Sequence, residues 1–386
     1  SSFMSYYEQI YSAYKKLKSN VYYDKTALIL RDALVKYENG NQKELEKKLN
    51  EIIDKLLKAE NKDNINEWDE YQKKILDSIE IIVLPKKIKK EKTDDTIIFN
   101  GNQNKSIEIE KYQYFLKFDV EGHILGALWI LLIGKYLDKE VSDSAYGNRL
   151  REILYDDDNV DNGINLFKPY FFQYEHWRDK SLEIAKKTLK QDEDVVILTM
   201  DLKNFYYSVH YEKEEFDSFF KRKFKDVDLL EKRLNDFIYN VIETYTYKLC
   251  SEVRDKDTLL IKKGIDIKDV RLLPIGFLPS NILANWRLNK FDRAIKEYIN
   301  PLYYGRYVDD IIIVNKVDKE STIYKEKISQ GICNKKDLIE YYFINCKATK
   351  NICDKNKSIF LEENNKDEIE YKINPIYIKE DYPSAK

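Results

Sequence analysis

The chain has 386 residues, enough for two or three domains, and 43% of them are hydrophobic, which is ample material for a core. Lys and Arg number 66 against 68 Asp and Glu, and a net charge of -2 excludes a polybasic protein that binds nucleic acid by bulk charge. Four cysteines without CxxC spacing and three histidines argue against a disulfide scaffold or a structural zinc site, and favour a reducing, cytoplasmic location. The longest apolar run, Ile124 to Ile133, is about half the length needed to span a bilayer, so we expect no membrane association.

Residues 1–92 are predicted to form a helical N-terminal region. Apolar residues recur there at steps of three and four, between Lys and Glu, from Ser5 to about Ile82. Pro85 ends this pattern, and the polar residues 93–107 are predicted to form a loop or linker. The remaining residues, 108–386, are predicted to carry the function.

The elements of this larger part predict an α+β fold. Gly122 to Leu137 is apolar all round, which is typical of a buried helix. Val195 to Met200 is short, apolar and β-branched, as expected for a buried strand. Leu302 to Tyr307 and Ile311 to Val314 are two further strand-like runs, close enough for a hairpin. With helical spacing from Ser280 to Ile295, the pattern predicts a sheet with helices on one face.

Three carboxylates are the candidate chemical groups of this sheet. Asp201 ends the first strand, and Asp309 and Asp310 lie at the tip of the hairpin. If the strands are neighbours, these carboxylates converge at one edge, where their repulsion is costly unless cations neutralise it. Such oxygen ligands suit Mg²⁺ or Mn²⁺, and two ions would stabilise the attacking and leaving oxygens of a phosphoryl displacement. An Asp-Asp pair is also ordinary β-turn chemistry, so the pair alone is a weak signal.

Three motifs in order strengthen this signal. Met200–Ser208 (MDLKNFYYS), Pro274–Asn285 (PIGFLPSNILAN) and Tyr307–Asp310 (YVDD) resemble motifs A, B and C of reverse transcriptases. The resemblance extends roughly over residues 138–361, and it implies a right-hand polymerase fold of fingers and palm. It also implies a set of catalytic and metal-binding groups: the side chains of Asp201, Asp309 and Asp310, and the backbone carbonyl of Leu202.

The resemblance assigns two further residues to the nucleotide. Tyr206 falls where such enzymes place an aromatic steric gate, whose ring would clash with a ribose 2′-OH, so deoxynucleotides are the expected substrate. The alternative is an aromatic ring that packs under the sheet. Gly276 matches the motif B glycine, where a missing Cβ lets the backbone approach the nucleotide closely. Ile275 stands where template-copying relatives usually carry Gln, which departs from conventional template handling.

Basic residues are further candidates for contacts with the substrate. Ser144–Arg149 (SAYGNR) resembles the fingers segment whose arginine holds the incoming triphosphate, a task that suits a guanidinium fork; a surface arginine is the alternative for Arg149. Lys357, in a segment that resembles motif D, is expected to donate a proton or contact phosphate, with Lys347 as the alternative. Arg306, just before YVDD, either packs or contacts nucleic acid.

Within the superfamily, the closest resemblance is to the bacterial abortive-infection (Abi) reverse transcriptases of phage defence. Leu278–Trp286 (LPSNILANW) and Arg306–Asp310 (RYVDD) look most like the AbiA branch. That family implies DNA synthesis from dNTPs without a template or a nucleic-acid primer, and further helical domains after the palm. Because the chain ends at Lys386, the expectation is a fingers and palm core without thumb or C-terminal domains.

Three functions stay open. The first is a Mg²⁺-dependent, template-independent DNA polymerase core of an anti-phage reverse transcriptase. The second is an RNA-templated reverse transcriptase of retron or group II intron type, against which Ile275 counts. The third is a nucleic-acid-binding defence scaffold. The expected partners are dNTPs, a single-stranded DNA product and, for the second function, an RNA template. The oligomeric state stays open, with a homo-oligomer included.

Overall fold

Helices and sheets are mixed throughout the chain, which confirms the predicted α+β class. A computed structural model describes residues 4–23, 27–60, 66–85, 96–98, 112–157, 163–202, 205–224, 227–252, 267–345, 355–365 and 368–380. Most of the predicted linker 93–107 lies outside the described residues, and so does Lys347.

Regular elements occur in both halves of the chain. The helices are α1 (Tyr6–Tyr23), α2 (Leu28–Glu38), α3 (Gln42–Leu57), α4 (Glu67–Asp77), α5 (Val120–Trp129), α6 (Lys135–Glu140), α7 (Tyr170–Lys190), α8 (Phe205–Ser208), α9 (Lys213–Lys223), α10 (Leu229–Glu252), α11 (Leu278–Ala294) and α12 (Lys335–Ile339). The strands are β1 (Glu80–Pro85), β2 (Thr96–Ile98), β3 (Tyr112–Lys117), β4 (Val195–Asp201), β5 (Tyr211–Glu212), β6 (Val270–Arg271), β7 (Tyr303–Tyr307), β8 (Asp310–Lys316), β9 (Phe360–Asn365) and β10 (Glu368–Ile373).

The N-terminal region is helical as predicted, up to α4. Asparagine side chains cap the N-termini of two of its helices. Asn41 accepts two backbone N–H groups at the start of α3, and Asn66 accepts one at the start of α4. The predicted helical pattern is wrong beyond residue 79, where the chain forms β1 and pairs antiparallel with β3. The β-branched residues of β1 favour a strand, and β3 supplies its backbone partners.

The apolar run predicted as a buried helix forms α5 and α6, joined by a π-helical turn at Ile130–Gly134. Among the described residues, Val120–Glu140 is the one helical stretch long and apolar enough to cross a membrane. However, 83% of its apolar window is buried inside the protein, as in the core helix of a globular protein. α1, α10 and α11 pack against this helix.

The main sheet has four strands in the order β2-β4-β8-β7. β2 runs parallel to β4, and β8 runs antiparallel to both of its neighbours, β4 and β7, so the predicted strands and hairpin are confirmed. Helices cover both faces of the sheet, whereas the sequence predicted helices on one face only. Ile312 and Val314 pack with Trp177 of α7, while Met200 and Ile313 belong to the main core on the other face. β8 is an almost continuous apolar run, which requires cover on both sides.

Candidate metal and nucleotide site

Three carboxylates lie together at the end of the main sheet. Asp201, Asp309 and Asp310 each place one ligand atom within 4.8 Å of the other two. The register of β4 and β8 sets Asp201 opposite Asp310, and the backbone N–H of Leu202 donates to the carbonyl of Asp309 at 2.8 Å. Strand pairing therefore produces the convergence that the sequence predicts.

The donor set of this cluster fits a divalent cation. All three groups are half-buried carboxylates, which supply the hard oxygen atoms that Mg²⁺ and Mn²⁺ prefer. A bound cation would also offset the repulsion between their charges. The backbone carbonyl of Leu202, the predicted further ligand, follows directly after Asp201 in the chain.

The turn that carries Asp309 has an unusual backbone conformation. Val308 has a φ of 55°, in the left-handed region that a β-branched residue adopts only at a cost of order 1–3 kcal/mol. The guanidinium of Arg306 donates to the carbonyl of Val308 at 2.8 Å. Contacts from outside the turn therefore hold this conformation.

Arg306 is completely buried and packs behind the turn. It forms a bidentate pair with Asp292 of α11, in which both the Nε–Oδ1 and the Nη2–Oδ2 distances are 2.9 Å. Its Nη1 also donates to Oδ1 of Asn285 at 3.0 Å. The question that the sequence left open is thereby decided: Arg306 packs and does not face a ligand.

The segment Ser144–Arg149 lies along the edge strand β7. The backbone N–H of Arg306 donates to the carbonyl of Ser144, and the N–H of Tyr146 donates to the carbonyl of Arg306, both at 2.8 Å. A Cβ on Gly147 would lie 2.6 Å from Cγ2 of Val308, so the segment approaches the turn this closely only because residue 147 is glycine.

The structure does not support the predicted phosphate contact of Arg149. Its guanidinium is buried, and its Nε donates to Oδ1 of Asp138 at 3.1 Å. Nη1 and Nη2 donate to four backbone carbonyls, those of Asp138, Val141, Ser142 and Ala145. All five N–H donors are therefore occupied, and none is left for a triphosphate. Arg149 instead stabilises the loop after α6 by connecting its backbone to Asp138 of that helix.

Tyr206, the predicted steric gate, lies on α8 just after β4. Its hydroxyl donates to Oδ1 of Asn281 in the first turn of α11, at 2.7 Å. Burial, and then the charge of Asp309, raise the pKa of Tyr206, which is consistent with a ring close to the carboxylates. The ring also packs against the main core, as the alternative interpretation predicts.

Gly276 has a φ of 86°, which L side chains rarely adopt. The residue before it, Ile275, is buried and accepts a hydrogen bond of 2.8 Å from the backbone N–H of Leu116 in β3. This bridge fixes the loop before α11. Backbone conformation therefore requires glycine at 276, independently of any ligand.

Lys357, the predicted motif D lysine, is exposed on a 3₁₀ turn before β9. The side-chain amide of Asn374 donates to the carbonyls of Asn356 and Ser358, at 3.0 and 2.9 Å, and so fixes this turn. The contacts described for the turn are thus with the β9–β10 hairpin and its flanks, not with the main sheet.

Two sets of residues near the site were missed by the sequence reasoning. Asn285 and Asp292 hold Arg306; they lie seven residues apart, two turns along α11, and so share one face of that helix. The second set is a group of aromatic residues on α7 that reaches Tyr307. Its members look like ordinary helix residues in sequence, because only the packing of α7 on the sheet brings them to the carboxylates.

Comparison of the chain with models of known protein families finds no match, and a search of curated proteins finds no similar one. The site is therefore interpreted from its own residues. These combine three clustered carboxylates, a tyrosine beside them and a turn held by a buried ion pair.

Proposed function

We propose that the protein is a Mg²⁺-dependent nucleotidyltransferase that makes DNA from dNTPs. In this proposal it is the fingers and palm core of an abortive-infection reverse transcriptase. The observation that carries the proposal is the convergence of Asp201, Asp309 and Asp310 at the end of an antiparallel hairpin. The resemblance of the surrounding segments to motifs A, B and C gives this cluster its expected chemistry.

The three carboxylates and the backbone carbonyl of Leu202 would hold the ions. Mg²⁺ or Mn²⁺ bound there supplies charge stabilisation to the attacking and leaving oxygens of a phosphoryl displacement. The chain contributes fixed positions: hydrogen bonds between β4 and β8 hold Asp201 against Asp310, and Arg306 holds the turn that presents Asp309. Preorganisation of this kind lowers the cost of assembling charges at the moment of reaction.

Two neighbouring residues support this proposal. Tyr206 has an aromatic ring near Asp309, and Asn281 fixes its hydroxyl. Such a ring would clash with a ribose 2′-OH, which supports a deoxynucleotide substrate. The buried, apolar Ile275 supports synthesis without a template, because it offers no polar group to a template strand.

The direct test is synthesis by purified protein from labelled dNTPs and Mg²⁺, with no template and no primer. Asp309→Asn is the matched control, since it is nearly isosteric and removes one of three repelling charges, so we expect it to fold. We expect long products from the wild type, and a loss of at least about 100-fold in Asp309→Asn. Chelation of the metal should abolish synthesis.

A binding measurement on the same two proteins distinguishes a protein that binds Mg²⁺ but is inactive from one whose carboxylate cluster does not bind Mg²⁺. Mg²⁺ should raise the thermal unfolding midpoint of the wild type, because it binds the folded state, and should raise that of Asp309→Asn much less. Products that copy an added RNA template would favour the retron or group II intron type. Absence of both synthesis and the Mg²⁺ shift would contradict the proposal. Phage protection retained by Asp309→Asn would favour the scaffold function.

A further inference from the structure

Three aromatic side chains stand in the first turn of α7, largely open to solvent. Tyr170, Phe171 and Phe172 are 66%, 64% and 68% exposed, and together they form what we call the aromatic platform. The rings of Phe171 and Phe172 lie 6.1 Å apart, centroid to centroid, at an angle of 75°. Contiguous exposed rings are uncommon on a protein surface without a binding role.

One ring of the aromatic platform, that of Tyr170, reaches the strand that leads into the carboxylate cluster. The ring of Tyr170 packs edge-to-face on Tyr307 with centroids 5.4 Å apart, and Tyr174 contacts Tyr307 at the same distance. Tyr307 is paired with Asp310 in the β7–β8 register. Burial, then Tyr174 and the charge of Asp310, raise the pKa of Tyr170. A molecule on the aromatic platform would therefore lie beside the candidate metal site.

The same turn of α7 also favours negative charge. α7 is 21 residues long, its N-cap is Pro169 with no side-chain cap, and its first turn has no acidic residue. The first N–H groups of a helix have no acceptor inside it, and the aligned peptide dipoles make this end positive. Phosphate groups bind at such helix ends. The first turn thus combines aromatic faces with N–H groups that can bind an anion. A nucleotide needs both kinds of contact, whereas an apolar protein surface needs only the first.

We propose that the aromatic platform binds single-stranded DNA beside the metal site, with bases stacked on Phe171 and Phe172 and a phosphate at the N-terminus of α7. The inference rests on the proposed function for the identity of the strand, since untemplated synthesis leaves the bases of its product unpaired. Stacking suits such a product because every base has a π-face, so the contact tolerates any sequence.

The test measures the binding of a fluorescein-labelled thymidine oligonucleotide by fluorescence anisotropy, without metal or dNTPs. The double variant Phe171→Ala/Phe172→Ala should bind at least about 10-fold more weakly than the wild type. Tyr247→Ala removes a ring that is 73% exposed on α10, and it should bind like the wild type. A second double variant, Phe171→Leu/Phe172→Leu, keeps apolar area without a π-face and should resemble the alanine pair. Because the rings are exposed, all variants should keep the unfolding midpoint of the wild type.

An abasic oligonucleotide of the same length isolates stacking from phosphate contacts. It should bind the wild type and the double variant with equal affinity. The affinity of both proteins should also fall with the same slope as the salt concentration rises, since the rings carry no charge. Equal binding of the thymidine oligonucleotide by wild type and double variant would overturn the inference. So would a loss of self-association in the variant without loss of oligonucleotide binding, which would assign the rings to a second copy of the chain.

The two proposals fail separately in these experiments. If ring-dependent binding is found but neither Mg²⁺-dependent synthesis nor the Mg²⁺ shift is, the aromatic platform stands and the polymerase proposal fails. If synthesis depends on Asp309 but the double variant binds the oligonucleotide as tightly as the wild type, the polymerase proposal stands and the aromatic platform proposal fails.

Discussion

Tyr206 joins the carboxylate end of the sheet to the first turn of α11. Its hydroxyl is held by Asn281, while its ring packs against the edge of the main core. These contacts restrict the ring to one position, which is what a steric gate requires. Packing and gating are therefore compatible roles of one side chain, and substitutions of different size can separate them.

Tyr206→Val should admit ribonucleotides, because it removes the ring that would meet a 2′-OH. We expect the ratio of kcat/KM for ribonucleotides to that for deoxynucleotides to rise by at least about 10-fold. Tyr206→Phe keeps the ring and loses the hydrogen bond to Asn281, a cost of about 1 kcal/mol, so it should keep the discrimination. An unchanged ratio in both variants would leave Tyr206 as a packing residue alone.

The hairpin of β7 and β8 is the element that presents Asp309 and Asp310, and its turn does not hold its shape alone. Val308 has a left-handed backbone, and Arg306 binds its carbonyl from the buried side. Asp292 and Asn285 of α11 in turn hold Arg306. The position of the turn that carries Asp309 is therefore coupled to the packing of α11 against the sheet.

Arg306→Lys should weaken metal binding as well as stability. Lysine keeps the charge near Asp292 but cannot form the planar fork, so the free energy of unfolding should fall by about 2–3 kcal/mol. If Arg306 positions the turn, the Mg²⁺ concentration that gives half of the maximal thermal stabilisation should also rise, by about 10-fold. The measurements are urea unfolding and thermal unfolding across a Mg²⁺ titration.

Arg287→Lys is the control for this prediction. Arg287 forms a buried bidentate pair with Glu215 and lies on the same helix, α11. Its replacement should cost similar stability without changing the Mg²⁺ dependence. A shift of equal size in both variants would show that Arg306 acts on metal binding only through global stability.

At the scale of the whole molecule, the N-terminal helices share a core with the rest of the chain. The hydroxyls of Tyr37 and Tyr71 both donate to Glu121 of α5, at 2.6 Å each. Arg233 of α10 donates to three carbonyls at the C-terminal end of α3, the nearest at 2.7 Å. The buried residues of α1, α3 and α4 also belong to the hydrophobic core that includes α5, α10 and α11.

Removal of residues 1–92 should therefore abolish folding. It would expose the apolar face of α5 to water, at a cost of several kcal/mol, and would remove the three carbonyls that Arg233 binds. For the full chain we expect a single cooperative transition, seen at the same denaturant concentration by circular dichroism and by tryptophan fluorescence. A truncated chain that unfolds cooperatively would show instead that residues 1–92 form an independent domain.

Local properties of the sequence sufficed for part of the fold and for the cluster of aspartates. Apolar spacing predicted the N-terminal helices, the buried helix of α5 and α6, α11 and three strands of the main sheet, because period 3.6 and period 2 are read from neighbouring residues. It did not predict the long helices α7 and α10. Motif order placed Asp201 and the YVDD turn on paired strands, and strand register then brought the carboxylates together. The strand β1 was missed, because its pairing with β3 joins segments far apart in the chain.

The sequence by itself determined the α+β class and the convergence of the three aspartates. Tertiary structure supplied the backbone reason for glycine at 276, a φ of 86°, and decided the surroundings of the arginines and aromatic rings. Arg149 matched a motif yet spends its five donors on Asp138 and backbone carbonyls, while Arg306 fixes the turn of the candidate site. The reason is physical: a guanidinium faces a ligand or the protein according to which segments fold against it, and an aromatic ring near a helix end gains a neighbouring site only when the helix packs there.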